Sequence, residues 1–252
     1  MHSAAIGVGA VTPVGPDGEG RAVRVAGEAV SKRGRREINA DAVATVTDRR
    51  VGRTAVVVAD GVGDHLGAAR AARIVARTAA RVAVTEGARA GILAARTELE
   101  RELPETGGDS VLAVAVLPAD GRPDGPCDIA WVGDCRVYRW NGRVLHQITT
   151  DHTVAEYFRL RGHEPLAGMG HLVTTSARTA RPEDIGQAAT GSSTGRFLLT
   201  TDGIHKPLDM TTIKSLLTHP TTPGLTADSL VETALTTGGT DNATALVVDV
   251  RA

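Results

Sequence analysis

Two apolar runs of this chain end in the same dipeptide: Ala55-Val56-Val57-Val58-Ala59 leads into Asp60-Gly61, and Phe197-Leu198-Leu199-Thr200-Thr201 leads into Asp202-Gly203. Short apolar or β-branched runs fit strands buried inside a sheet. A glycine directly after the carboxylate permits a tight turn and close approach of a ligand to the backbone. Each run therefore predicts a buried strand with an aspartate at its tip, at the sheet edge where function concentrates. Two further carboxylates mark strand ends: Asp128 to Gly133 reaches Asp134, and Asp241-Asn242 precedes the strand-like Ala243 to Val248. Taken singly, such dipeptides are turn formers. If the four converge, like charges about 4 Å apart at an effective dielectric near 20 repel by roughly 4 kcal/mol. Such a cluster needs cations or raised pKa values, and an all-oxygen donor set suits Mg²⁺ or Mn²⁺.

The residues around these aspartates form five ordered blocks: Arg36-Glu37-Ile38-Asn39-Ala40-Asp41; Asp60-Gly61-Val62-Gly63-Asp64-His65; Gly133-Asp134-Cys135-Arg136-Val137-Tyr138, continuing to Thr150-Asp151-His152; Leu199-Thr200-Thr201-Asp202-Gly203-Ile204; and Gly239-Thr240-Asp241-Asn242-Ala243-Thr244. Together they resemble the motifs of the metal-dependent protein phosphatases, the phosphatase 2C-like family, in its bacterial serine/threonine form. Five blocks in order are far more specific than one motif. The likeness covers roughly residues 22 to 250 and is weakest from 162 to 195. It implies an α+β fold: a four-layer αββα sandwich of two antiparallel sheets flanked by helices, with a metal centre at one end of the sheets. It also implies one catalytic domain over 22–252, an N-terminal segment over 1–21, and a shortened or divergent flap over about 153–195.

By position, the resemblance implies that Asp60 bridges two Mn²⁺ or Mg²⁺ ions, that the Gly61 carbonyl completes the second site, and that Asp202 and Asp241 complete the first. Asp134 matches a ligand of a weaker third ion, and Asp41 a carboxylate that orients metal-bound water. Arg36 stands where the family binds phosphate, a task that suits the guanidinium fork. His65 is either a general acid for the leaving alkoxide or the residue that opens the following helix. Ser110 is expected to line the site, His152 to hold a loop, and Asn242 to fix the Asp241 turn. Ala40 replaces a glutamate common in relatives, so the second ion is expected to lose support that Ala40→Glu would restore. The implied reaction is hydrolysis of phosphoserine and phosphothreonine in proteins, with phosphoproteins and a Ser/Thr kinase or its targets as partners. Two rivals stay open: a phosphatase-like regulatory module, and a phosphoesterase for a small metabolite.

Composition agrees with one domain built without large rings. Only 2% of residues are aromatic, so the core must be Val, Leu, Ile and Ala. The net charge of −1 gives no general attraction to nucleic acid or anionic membrane. Cys127 and Cys135 are too few for a disulfide framework, which predicts reduced thiols and a cytoplasmic setting. No run reaches the ~18 apolar residues of a membrane span. Residues 4 to 12 lack a basic leader, and Gly15 to Gly20 reads as a loop.

Helical spacing predicts a first helix over His65 to Val84, with Arg70, Arg73, Arg77 and Arg81 on a solvated side and Ala68, Ala72, Val75, Ala79 and Val82 inward. Glu86 to Leu103 predicts a second, stopped by Pro104. Arg136 to Trp140 and Val144 to Ile148 flank Asn141-Gly142, a two-residue hairpin signal. His163, Glu164 and His171, in the least familiar stretch, read as surface residues.

Overall fold

The computed structural model describes residues 2–5, 22–104 and 107–252; the loop expected over Gly15 to Gly20 lies outside them. Eleven strands and six α-helices are described. The strands are β1 (His2–Ala5), β2 (Arg24–Lys32), β3 (Asp41–Asp48), β4 (Arg53–Gly61), β5 (Ser110–Pro118), β6 (Cys127–Val132), β7 (Arg136–Trp140), β8 (Leu145–Gln147), β9 (Gly186–Thr190), β10 (Gly195–Thr200) and β11 (Ala243–Arg251). The helices are α1 (Leu66–Glu86), α2 (Ala88–Glu102), α3 (Val154–Arg159), α4 (Asp202–His205), α5 (Met210–Thr218) and α6 (Pro223–Thr236). One sheet runs β1-β2-β11-β10-β7-β8 and the other β3-β4-β5-β6-β9, with every neighbouring pair antiparallel.

Because strand side chains alternate between faces, the valine run of β4 serves two cores. Val57 and Ala59 pack against α1 and α2. Val56 and Val58 face the other sheet, meeting Phe197, Leu199, Leu246 and Val248. The outer face of the larger sheet, with Leu198, Ala245 and Val247, is covered by Ile204, Ile213 and Leu230 from α4, α5 and α6. The result is the expected αββα sandwich. Fully burying each such Val or Leu stabilises the fold by about 1.5–3 kcal/mol.

The arginine stripe of α1 is exposed and its alanine face buried, as the spacing predicts. The hairpin also forms, but Trp140 pairs with Leu145, so its loop has four residues. Asn141 explains the difference: its side-chain oxygen accepts from the backbone N–H groups of Arg143 (3.0 Å) and Val144 (2.8 Å), tying up residues that would otherwise extend the ladder. A strand absent from the sequence reading, β9, pairs with β6 inside the stretch expected as a flap. Its sequence, Gly-Gln-Ala-Ala-Thr, carries little β propensity.

Candidate metal centre

Antiparallel pairing brings the strand tips together at one end of the sandwich. Asp41, the first residue of β3, pairs in register with Asp60 near the end of β4, and Gly61 pairs with Ser110. Asp134 lies in the turn between β6 and β7. Asp202 follows β10, which pairs with β11 so that Thr200 opposes Ala245, close to Asp241. One cavity of about 160 Å³ is lined by Arg36, Asp60, Gly61, Asp134, Asp202 and Asp241, together with His171 and Lys206. Asp41 stands behind them, its Oδ2 accepting from Thr201 Oγ1 (2.9 Å) and Thr244 Oγ1 (2.6 Å).

Small residues let these segments touch. Gly34 has φ +62°, and a Cβ there would lie 2.1 Å from the Asp241 carbonyl oxygen, so only glycine lets the Arg36 loop rest on the Asp241 turn. A Cβ on Gly61 would lie 2.4 Å from the Ala68 carbonyl oxygen, so the first turn of α1 approaches β4 over a bare backbone. Asn242 fastens the same region: its Oδ1 accepts from Ala40 N (2.7 Å), and its Nδ2 donates to the carbonyls of Arg33 (2.7 Å) and Ile38 (2.8 Å). It holds the 33–40 loop more than the Asp241 turn.

Among the described residues no three His, Cys, Asp or Glu side chains are already drawn into a metal-ligating arrangement. The carboxylates are instead neutralised separately. Arg36 Nη2 donates to Asp241 Oδ2 at 2.7 Å. Lys206 Nζ donates to Asp202 Oδ2 at 2.5 Å and lies 3.4 Å from Asp134 Oδ2. Two buried carboxylate oxygens, Asp41 Oδ1 and Asp202 Oδ1, have no hydrogen-bond partner among the described residues. Burial, aided by Asp202 and Asp241, pushes the Asp41 carboxyl up to about 7. Burial and the neighbouring carboxylates also raise Asp60 well above the usual range, and raise Asp134 to about 6. A group of carboxylates this destabilised in its charged form is chemically suited to a hard cation.

The remaining expected residues, His65, Ser110, His152 and Ala40, are not among those lining this cavity. His65 is exposed and caps α1, its Nδ1 accepting from Ala68 N at 3.1 Å. Ser110 is buried and donates to the Asp60 carbonyl at 2.8 Å, so it braces the strand and is absent from the lining. His152 holds a loop: its N–H donates to the Gly133 carbonyl (2.9 Å), and its own carbonyl accepts from Thr174 N (2.8 Å). The Ala40 methyl, 2% exposed, packs with Ala68, Ala69 and Ile38 and is not part of the cavity lining.

Lys206 and His171 were missed as lining residues. Lys206 had a signal, since it stands four residues after Asp202 and could be read as one helical turn away. His171 had none, because a loop places it, in a turn over Met169–His171 that meets Lys206 Nζ at 3.1 Å.

No family model matches the chain. The serine/threonine protein phosphatase PstP of Mycobacterium tuberculosis is 29% identical over 222 residues, covering 77% of this chain. The chain spans 40% of the length of that relative. Among solved structures, the catalytic domain of PstP in complex with two manganese ions is 26% identical and superposes with a TM-score of 0.74, over 91% of this chain and 100% of that one. PppA, a regulatory component of type VI secretion in Pseudomonas aeruginosa, is 26% identical with a TM-score of 0.73, over 90% and 98%. Sharing their layered sheets and bringing its own ordered aspartates to one cavity, this chain is similar in sequence and fold to bacterial serine/threonine protein phosphatases.

Proposed function

We propose that this chain hydrolyses phosphoserine and phosphothreonine esters in proteins with two Mn²⁺ or Mg²⁺ ions held in the carboxylate cavity. The observation that carries the reading is the convergence of Asp60, Gly61, Asp134, Asp202, Asp241 and Arg36 on one cavity. The donor set fits such ions: it is all oxygen, and Asp202 Oδ1 is buried there without a partner. Asp60 would be shared between the ions, with the Gly61 carbonyl on one side and Asp202 and Asp241 on the other. Asp134 is the remaining carboxylate, the one whose motif position matches a ligand of a weaker third ion. Bound there, the ions would supply the Lewis acidity that activates water and offsets phosphoryl charge.

The chain's own residues do the rest. Arg36 is 41% exposed on its side chain and ends on Asp241 at the cavity edge, a position from which its guanidinium can donate to two phosphate oxygens. Asp41, fixed by two threonine hydroxyls, would orient water through its unpartnered oxygen. His65 accepts a backbone N–H through Nδ1, so in the neutral ring the proton sits on Nε2, where it can be given to a leaving alkoxide.

We read 22–252 as one catalytic domain, with a phosphoprotein as substrate and a Ser/Thr kinase or its targets as partners. Two buried free thiols, Cys127 and Cys135, fit a reducing, cytoplasmic setting. No helix among the described residues is long and apolar enough to cross a membrane. The test compares phosphothreonine peptides with small phosphate esters, with and without Mn²⁺. Mn²⁺-dependent release of phosphate from the peptides is expected. Turnover of small esters alone would reassign the substrate, and Mn²⁺ binding without any turnover would leave a regulatory module.

A further inference from the structure

Lys206 is a cation placed among carboxylates that are themselves suited to cations. It directly follows α4, one turn after Asp202, so the two side chains share a helix face. Its Nζ is 2.5 Å from Asp202 Oδ2 and 3.4 Å from Asp134 Oδ2, and His171 Nδ1 stands 3.1 Å away. Asp134 is 9% exposed on its side chain and Asp202 14%, so this ammonium is the counter-charge of two largely desolvated groups. Lys206 is the cation paired with Asp134 among the described residues.

We propose that Lys206 is the resident counter-cation of Asp134 and Asp202 and excludes a divalent ion from between them. The proposal rests on reading the cavity as a metal centre. A divalent ion joining Asp134 to Asp202 would need oxygens that already face Nζ, and an ammonium and a dication cannot share that space without strong repulsion. Asp202 can nevertheless serve both cations. Its Oδ2 holds Lys206, whereas its buried Oδ1 has no partner and remains for an ion on the Asp60 and Asp241 side. Arg36 differs in kind: it meets Asp241 from a more open position and makes no second carboxylate contact among the described residues. It can give way to an ion or a phosphate, while Lys206 is held by two carboxylates and a histidine. The cavity thus divides into a part that loads metal and a part already filled by the protein's own charge.

The experiment counts Mn²⁺ per chain at saturation, by equilibrium dialysis with elemental analysis, in the parent, Lys206→Met, Lys206→Gln, Asp134→Asn and Lys206→Met/Asp134→Asn. Gain of one weaker ion in either lysine variant is expected, with its loss in the double variant and no change in Asp134→Asn alone. The glutamine variant keeps a polar stem if the methionine variant fails to fold. Parent and folded lysine variants binding the same nonzero number of ions would overturn the role of Lys206 and leave the metal centre standing. An extra ion that persists in the double variant would also overturn it. Absence of Mn²⁺ from every protein would overturn the metal centre and this inference together.

Discussion

Asp41 and Asp60 oppose each other directly across the β3–β4 ladder, so two carboxylates share one register position at the sheet end. Like charges placed opposite one another destabilise a sheet, and here both groups are also withdrawn from water. The pairing is tolerated because each can take a proton, with Asp41 raised to about 7 and Asp60 raised well above its ordinary value. The same relationship stores affinity for a cation, which relieves the repulsion between charged forms.

Metal uptake is therefore expected to release protons. At pH 6 the metal-free cluster retains protons on Asp41, raised to about 7, and partly on Asp134, raised to about 6. Folded values above the unfolded ones mean that these groups stabilise the metal-free fold at low pH and lose that contribution as pH rises through about 6 and 7. His205 works in the opposite sense, since burial lowers it well below 6.5, and a melting curve alone would mix the two. Calorimetry of Mn²⁺ binding in buffers of different ionisation heat separates them. More protons should be released at pH 6 than at pH 8, and equal release at both would contradict the raised carboxyls.

Asp202→Asn removes the charge that faces both Lys206 and the metal side of the cavity. Metal binding should weaken and phosphate-ester hydrolysis should fall about 10²-fold or more, because several kcal/mol of charge stabilisation by the ions would be lost. The fold should survive, since Asp202 is at the first turn of a four-residue helix and is not itself a buried core residue. Unchanged Mn²⁺ affinity in the folded variant would remove Asp202 from the metal centre.

Arg36→Ala tests the phosphate contact separately from the metals. A charged hydrogen bond is worth about 1.5–3 kcal/mol, so KM for a phosphopeptide should rise roughly 10- to 100-fold. Mn²⁺ affinity should hold or improve slightly, because the variant frees the Asp241 oxygen that Arg36 now occupies. Arg36→Lys should recover only part of the loss, lacking the fork. An unchanged KM would place the phosphate elsewhere.

How much of this was legible beforehand depended on where each signal resides. The valine run and the Asp-Gly that ends it carry strand, burial and site in one short segment, so β4 and Asp60 could be read directly. The α1 arginine stripe could be read because 3.6-residue spacing is local. Lys206 and His171 meet through a loop from a distant segment, and nothing local announces that contact. The four-residue turn at Asn141 was obscured because Asn-Gly favours a two-residue turn unless the asparagine side chain engages the backbone beyond it. For Ala40, motif position gave its place in the chain but not the direction of its side chain.

Ala40 gives the sharpest contrast between those two readings. Placed beside Asp41, it invites replacement by glutamate to strengthen metal binding. The structure points to the opposite result. Its methyl is packed against Ala68 and Ala69, its N–H donates to Asn242 Oδ1 at 2.7 Å, and its carbonyl accepts from Gly61 N at 3.1 Å, so the backbone has little room to rotate. A glutamate there would push four further heavy atoms and a charge into the first turn of α1. Overpacking of this kind costs about 1–3 kcal/mol, and burying the carboxylate adds to it. At about 2–4 °C per kcal/mol for a domain of this size, Ala40→Glu should melt several degrees lower, with no decrease in the Mn²⁺ concentration for half-maximal activity. An Ala40→Glu protein that melts with the parent and works at lower Mn²⁺ would show instead that this side chain can reach the cavity.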